Sequence, residues 1–321
     1  MKILITGGAG FIGSHMCEYF LNKDKTNEVI CVDNFLTGLK SNVEHLLSNN
    51  RFTLIEHDVT EPLPDSVTAD AVFHMASPAS PNHHSPISYH SLPMETMMVN
   101  TKGTLELLKF AEKNKAKFLY ASTSEAYGDP LEHPQKEEYR GNVSSIGPRS
   151  VYDEAKRFGE TFTAYFWRDR NVDARIIRIF NTYGPRMQKA DMRMNVIFIN
   201  QALENKDITV FGDGKQTRSL CYVDDTVEGL ARLMFYPNTK GEVVNIGSEE
   251  EHTVYDYATI IKKITNSGSK IVLSEKLPED DPKQRKADIS KARKLLQWEP
   301  KISLEDGLNR VIEYTKNHPN I

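Results

Sequence analysis

Short apolar runs rich in β-branched residues alternate with longer stretches of helical periodicity through the first half of the chain. Residues 2–6, 28–32, 52–56, 71–75, 117–122 and 174–179 carry the strand pattern. Between them, residues 11–21, 94–113 and 151–167 place apolar side chains at helical spacing. The alternation predicts an α/β fold, a doubly wound parallel sheet of Rossmann type, over residues 1–180. Beyond residue 180 the rhythm loosens into loops and short elements punctuated by Gly184, Pro185, Gly212 and Gly214, and one or two helices close the chain over residues 289–314. Residues 181–321 are therefore expected to form a smaller lobe, with some elements returning to the core.

Composition narrows the function classes. The chain has 321 residues and a formal net charge of −4, without a basic patch of the kind nucleic acid requires. No apolar stretch is long enough to span a membrane. Met1 leads directly into the first strand, which argues against a signal peptide and makes the cytoplasm the expected compartment. Cys17, Cys31 and Cys221 are isolated and odd in number, so they read as reduced, mostly buried thiols.

The chemistry begins at the first strand-to-helix turn, Gly7-Gly8-Ala9-Gly10-Phe11-Ile12-Gly13. Gly7 permits the tight turn, Gly10 lets backbone approach a pyrophosphate, and Gly13 lets the helix pack closely on the strand. The second strand ends in Asp33, about 20 residues past the last glycine, where a dinucleotide site needs an acceptor for ribose hydroxyls. A carboxylate there repels a 2′-phosphate, so NAD is favoured over NADP. Asp58 and Val59 follow the third strand; Asp58 can meet an adenine amine or simply shape a turn. Ala76 and Ser77 follow the fourth strand, and Thr123, Ser124 and Glu125 the fifth. Tyr152 and Lys156, four residues apart, share one helix face, where an ammonium can lower a phenol's pKa and make it a base. The bland alternative for that pair is a solvated helix face.

These motifs, together with Val32 to Gly38, Ser77 to Pro81, residues 121–130, Tyr152-Asp153-Glu154-Ala155-Lys156-Arg157, Phe180 to Met187, Gln216-Thr217-Arg218 and residues 277–286, resemble the extended short-chain dehydrogenase/reductases acting on nucleotide sugars. Within that family they are most similar to its UDP-glucuronate decarboxylase branch. The resemblance implies a redox-neutral conversion of UDP-glucuronate to UDP-xylose through a 4-keto sugar, with tightly bound NAD. It assigns catalysis to Tyr152, Lys156, Thr123, Ser124, Glu125 and Arg285. It assigns cofactor binding to Gly7, Gly10, Phe11, Ile12, Gly13, Asp33, Asn34, Phe35, Thr37, Gly38, Asp58, Val59, Ala76, Ala121, Thr182 and Arg193, along with Tyr152 and Lys156. Substrate binding falls to Ser77, Asn181, Arg218 and Arg285, and the second half becomes mainly a nucleotide-sugar-binding lobe.

Neighbouring chemistries separate at the Thr-Ser-Glu triplet. A 4,6-dehydratase of the family carries an acid where this chain has Ser124, and a simple 4-epimerase typically lacks the glutamate. A UDP-glucuronate 4-epimerase is the alternative that remains, and a non-catalytic NAD-binding regulatory protein is the alternative from another class. The chain departs from the family pattern at Ile197, which precedes Phe198 where asparagine is usual, and between Ser77 and Asn100, where it is about five residues longer. That loop contains His83, His84 and His90. No Cys, Asp or Glu lies near them at ligand spacing in the sequence, so a metal is not expected. The resemblance also implies a homodimer built from the helices at 94–113 and 151–167, with Phe110, Phe158, Phe162, Tyr165 and Phe166 supplying aromatic bulk.

Overall fold

A computed structural model describes residues 1–277 and 281–319. Strands β1 (Lys2–Thr6), β2 (Glu28–Asp33), β3 (Phe52–Glu56), β4 (Ala71–His74), β5 (Lys117–Thr123) and β6 (Ala174–Ile179) all pair in parallel. The strand Val243–Ile246 adds beside β6, so the sheet has seven strands among the described residues. Its order reverses direction at β1, which neighbours both β2 and β4. Open parallel sheets bind ligands at such a reversal, beyond the carboxyl ends of the strands.

Both faces of the sheet are covered, which is why its strands are apolar nearly throughout. On one face, Met16, Phe20 and Leu21 of helix α1 (Phe11–Lys23) and Leu230, Leu233 and Met234 of the helix Val223–Phe235 pack against Ile3, Ile5 and Phe73. On the other, Leu107, Leu108 and Ala111 pack with Phe166 against Leu4, Val72, Phe118 and Tyr120.

The expected helix at 94–113 is a composite. Helix α2 (Pro93–Met98) runs through a wide π-helical turn, Val99–Gly103, into α3 (Thr104–Asn114). Polar side chains compete with the regular ladder there. Thr101 and Thr104 hydroxyls donate to the carbonyls of Met97 and Asn100, and Asn100 reaches out to Ser77 Oγ at 2.8 Å. Helix α4 (Ser150–Asp169) crosses this composite with its one glycine at the contact: a Cβ on Gly159 would stand 2.2 Å from the Tyr120 hydroxyl and 2.9 Å from the Asn100 carbonyl. The aromatic residues of α4 divide their tasks. Phe166 is buried in the monomer's own core, whereas Phe158 and Tyr165 are exposed.

The second half is more regular than its sequence rhythm suggests. Helices Met194–Leu203, Val223–Phe235 and Val254–Thr265 stand where loops and short elements are expected, before the anticipated closing pair Ser290–Leu296 and Leu304–Asn317. Met194–Leu203 buries Val196, Phe198, Ile199 and Ala202 and packs Met194, Ile197 and Leu203 against the same core, so it is apolar around much of its circumference and its helical period is faint.

Candidate active site

The glycine turn opens a cavity of about 480 Å³ along the carboxyl ends of the strands. Gly7 takes φ +66, and a Cβ on it would stand 2.7 Å from Ala76 Cα; one on Gly13 would stand 2.1 Å from the Gly7 carbonyl oxygen. Only glycine allows strand and helix to meet this closely. Gly10 caps α1 without a side-chain hydrogen bond, which leaves the first-turn amides to an external anion. At the end of β2, Asp33 accepts the amides of Ala9 and Phe35, both at 2.9 Å, which ties the glycine turn to the loop that follows the strand.

Nearly every residue assigned to the cofactor lines this cavity: Gly7, Gly10, Phe11, Ile12, Gly13, Asp33, Asn34, Thr37, Gly38, Asp58, Val59, Ala76, Ala121, Tyr152, Lys156, Thr182 and Arg193. Phe35 does not line it. Its backbone turns to φ +56 and its ring packs against the core, and the neighbouring Leu36 lines the cavity. Asp58 serves its turn as well, accepting the Thr60 amide at 2.9 Å and the Asn34 side chain at 3.1 Å.

Thr123, Ser124, Glu125, Tyr152 and Lys156 converge at the far end of the same cavity, together with Ser77 and Asn181. The Thr123 hydroxyl caps the short helix Ser124–Tyr127 by accepting the Glu125 amide at 3.2 Å. The Tyr152–Lys156 relationship differs from its expected form. Lys156 Nζ donates to the Ala121 carbonyl at 2.7 Å and lies 5.2 Å from the Tyr120 ring centroid and 5.8 Å from that of Tyr152. Burial lowers its pKa to about 7, with Glu160 pulling the other way. Burial likewise pushes Tyr152 up to about 12, against the nearby Thr123 hydroxyl. Desolvation outweighs the Thr123 hydrogen bond, so the phenol is not activated in the protein alone.

A second cavity, of about 190 Å³, adjoins the first: Glu125, Asn181, Thr182, Arg193 and Pro81 line both. Arg218 and Arg285 stand in its wall because their strands, Thr217–Ser219 and Gln284–Arg285, pair in parallel with these two residues in register. Arg285 pairs with one oxygen of Glu125, and Arg149 pairs with the other at 2.5 Å. Arg149 and Arg218 also meet Asp281, at 3.5 and 2.8 Å. Residues 278–280 of the resembling segment lie outside the described residues. Burial alone would raise the pKa of Glu125, but the two guanidinium groups override it and hold the carboxyl at about 2. Asp153 behaves oppositely, raised to about 8 by burial and then by the Glu125 charge. The guanidinium groups of Arg149, Arg218 and Arg285 gather on the carboxylates of Glu125 and Asp281. Among the described residues, Arg149 Nε and Arg285 Nε are buried without an acceptor. The cluster is thus suited to an incoming anion.

Arg149, Tyr89 and Asp281 are absent from the sequence-based list. Arg149 was within reach of a helical-spacing argument, since it stands three residues before Tyr152 at the start of α4. Tyr89 carries no such signal: it lies in the long loop, yet its ring stacks on Tyr152 with centroids 4.8 Å apart and planes 11° from parallel. The loop also holds a surprise at its tip. His83 and His84 meet Glu275, a carboxylate supplied from far along the chain, so the sequence neighbourhood misjudged their partners.

Comparison with known proteins agrees with this construction. The chain is 48% identical to UDP-glucuronic acid decarboxylase 1 of Xenopus tropicalis, over 98% of this chain and 72% of that protein. It is 49% identical to UDP-glucuronic acid decarboxylase 6 of Arabidopsis thaliana, over 96% of this chain and 87% of the relative. The fold superposes with a TM-score of 0.85 on the UDP-glucuronic acid 4-epimerase of Bacillus cereus, solved with UDP-glucuronic acid and NAD, at 32% identity over 99% of each chain. A family model described as the NAD dependent epimerase/dehydratase family matches residues 3–247, and the chain belongs to that family.

Proposed function

We propose that this chain is a UDP-glucuronate decarboxylase that converts UDP-glucuronate to UDP-xylose with NAD and without net redox change. The observation that carries the reading is the Glu125–Arg285 pair, set where the cofactor cavity meets the arginine-lined one. Identity near one half to two decarboxylases over almost the whole chain supports the same conclusion.

The uncapped first turn of α1 and the Asp33 carboxylate suit the pyrophosphate and ribose of NAD, which when bound supplies a hydride acceptor and donor at sugar C4. Tyr152 takes the proton from O4, and the Thr123 hydroxyl steadies that oxygen. Lys156, buried against Ala121 and Tyr120, holds the cofactor ribose and, while it carries its proton, supplies the charge that eases ionisation of Tyr152. The ketone formed at C4 is β to the C6 carboxylate, so loss of CO2 leaves an enolate that the ketone stabilises; the enolate takes a proton at C5, and the C4 carbonyl would regain the hydride it gave up, which closes the cycle without net redox change. Arg285 anchors the carboxylate and steadies the developing charge, while Glu125 holds Arg285 and Arg149 and orders water beside C5. Ser124 packs beside Glu125, and Ser77 with Asn181 lines the sugar's approach. Arg218 faces the diphosphate, and Arg193, between the cavities, serves cofactor phosphate.

Incubation with UDP-glucuronate tests the reading. Release of CO2 with a UDP-pentose is the expected result. UDP-galacturonate would identify a 4-epimerase, the activity in the name of the Bacillus cereus relative, and unchanged substrate would identify a binder.

We further assign residues 1–180 to the NAD-binding unit and 181–321 mainly to the nucleotide-sugar lobe. A homodimer is built on the outer face of α2, α3 and α4, where Phe158 and Tyr165 of α4 are exposed. Sedimentation of a Phe158→Glu variant as monomer, against a wild-type dimer, tests that face. Three free buried cysteines support a reducing, cytoplasmic setting; no helix among the described residues is long and apolar enough to cross a membrane.

A further inference from the structure

The long loop after β4 carries at its tip a donor set that the proposed reaction does not use. His84 Nε2 lies 3.0 Å and His83 Nε2 3.9 Å from the same Glu275 oxygen, and one ligand atom from each residue falls within 4.8 Å of the others. Ligand atoms on a tetrahedral zinc ion stand about 3.3 Å apart, as metal–ligand bonds of roughly 2.0–2.2 Å require. The two contacts to the carboxylate bracket that spacing.

Both sides of the group are fixed before any ion arrives. Ser80 and Ser85 hydroxyls donate to the carbonyls of Asp191 and Ala190 at 2.5 and 2.6 Å, and the Asn82 side chain donates to the Met192 carbonyl at 2.7 Å. Asn82 then accepts the His84 amide at 2.9 Å, which sets the turn that presents the histidine pair. Opposite, the Gly212 amide holds the Glu275 carbonyl at 2.8 Å. The donors are thus carried by pinned backbone on two segments remote in the chain.

We propose that His83, His84 and Glu275 form a binding site for one divalent transition-metal cation of zinc type, at the mouth of the arginine-lined cavity. Two imidazoles and one carboxylate suit zinc or nickel rather than magnesium or calcium, which prefer all-oxygen shells. All three residues are exposed, so a fourth position stays open to water. His83, Pro81 and Asn82 line one wall of the cavity, and Leu277, two residues past Glu275, lines another. A bound cation staples these walls together and slows exchange through the mouth. That consequence rests on the cavity's proposed role in holding substrate; the binding itself does not.

Calorimetric titration of the NAD-bound protein with zinc alone tests the site. One ion per chain is expected, with affinity falling by at least the roughly 10–100-fold that even outer-shell changes cost, in both His84→Ala and Glu275→Gln. Magnesium should not compete. Binding that both variants retain, or no binding in the micromolar range, overturns the site. Turnover of UDP-glucuronate should drop severalfold with zinc in the wild type, recover with chelator, and stay unaffected by zinc in the variants. Site-dependent zinc binding with unchanged wild-type turnover would overturn the staple, while a protein that never turns over UDP-glucuronate but binds zinc as described would overturn only the reading of the cavity.

Discussion

Glu125 and Arg285 are separated by 160 residues and form an ion pair at the junction of the two cavities, with 12% and 4% of their side chains exposed. Removing one partner of a buried pair leaves the other to bear its desolvation, at a cost of about 3–5 kcal/mol. In Arg285→Ala the cost should be below that range, because Arg149 still holds the second oxygen of Glu125. Chemistry should suffer more. Loss of a fixed group that stabilises developing charge lowers turnover by about 10²–10³-fold. CO2 release from UDP-glucuronate, set beside NAD content and urea stability, checks the prediction; near-normal CO2 release from a folded, NAD-loaded Arg285→Ala would remove this arginine from the mechanism.

Tyr152→Phe keeps the ring that stacks on Tyr89 and deletes only the hydroxyl. The variant should retain its fold and NAD, and lose about 10²–10⁴-fold in kcat, the usual range for a general base. Substrate affinity should change little, since the ring's packing is preserved. Single-turnover absorbance of reduced cofactor reads the first hydride transfer directly, and a wild-type amplitude and rate would exclude Tyr152 as its base.

The parallel sheet of this architecture was legible because local rules dictate it. The strand from Lys2 to Thr6 and the strands at 52–56 and 174–179 fall where the apolar runs place them, and the glycine turn ends where Asp33 is needed. Arg285 and Arg218 were recognisable from family motifs, but their adjacency was not, because it depends on pairing two very short strands remote in the chain. Glu275 beside His83 and His84 was unreadable for the same reason. The helix at 194–203 is hidden for a local reason, since it is apolar around much of its circumference and polarity contrast is what reveals a helix, whereas the helix at 254–265 does carry that contrast and a Thr253–Asp256 capping box. At Phe35 a motif fixes the order of residues, whereas the positive φ turns its ring to the core and leaves Leu36 on the cavity wall.

Asp33 performs two tasks at once, and a substitution can separate them. Its carboxylate holds the Ala9 and Phe35 amides, and under the proposed reading it also accepts ribose hydroxyls of NAD. Hydrogen bonds to a charged group contribute about 1.5–3 kcal/mol each. Asp33→Asn should therefore weaken NAD retention by at least about tenfold, since 1.4 kcal/mol is a factor of ten. It should also narrow discrimination against NADP, because the repulsive charge is gone. Cofactor content after gel filtration and refilling with either dinucleotide report both effects. Unaltered NAD retention, with NADP still refused, would assign selectivity to another residue.

Lys156 gives the structure a pH signature whose sign follows from its surroundings. Burial lowers its pKa from 10.5 to about 7, so between those values the unfolded chain binds a proton that the folded chain has released. Stability rises with pH wherever the unfolded state binds more protons, hence from about pH 7 to about 10.5 for this group. Each pKa unit corresponds to about 1.4 kcal/mol, which makes the contribution across the window on the order of a few kcal/mol. Lys156→Met removes the titration and keeps most of the apolar stem, so the wild type should gain on the variant as pH rises from about 7 to about 9.5. Other groups titrate in both proteins and cancel in the difference. Urea unfolding of the two NAD-stripped chains across that range measures it, and parallel stability curves would mean that Lys156 keeps its proton in the fold.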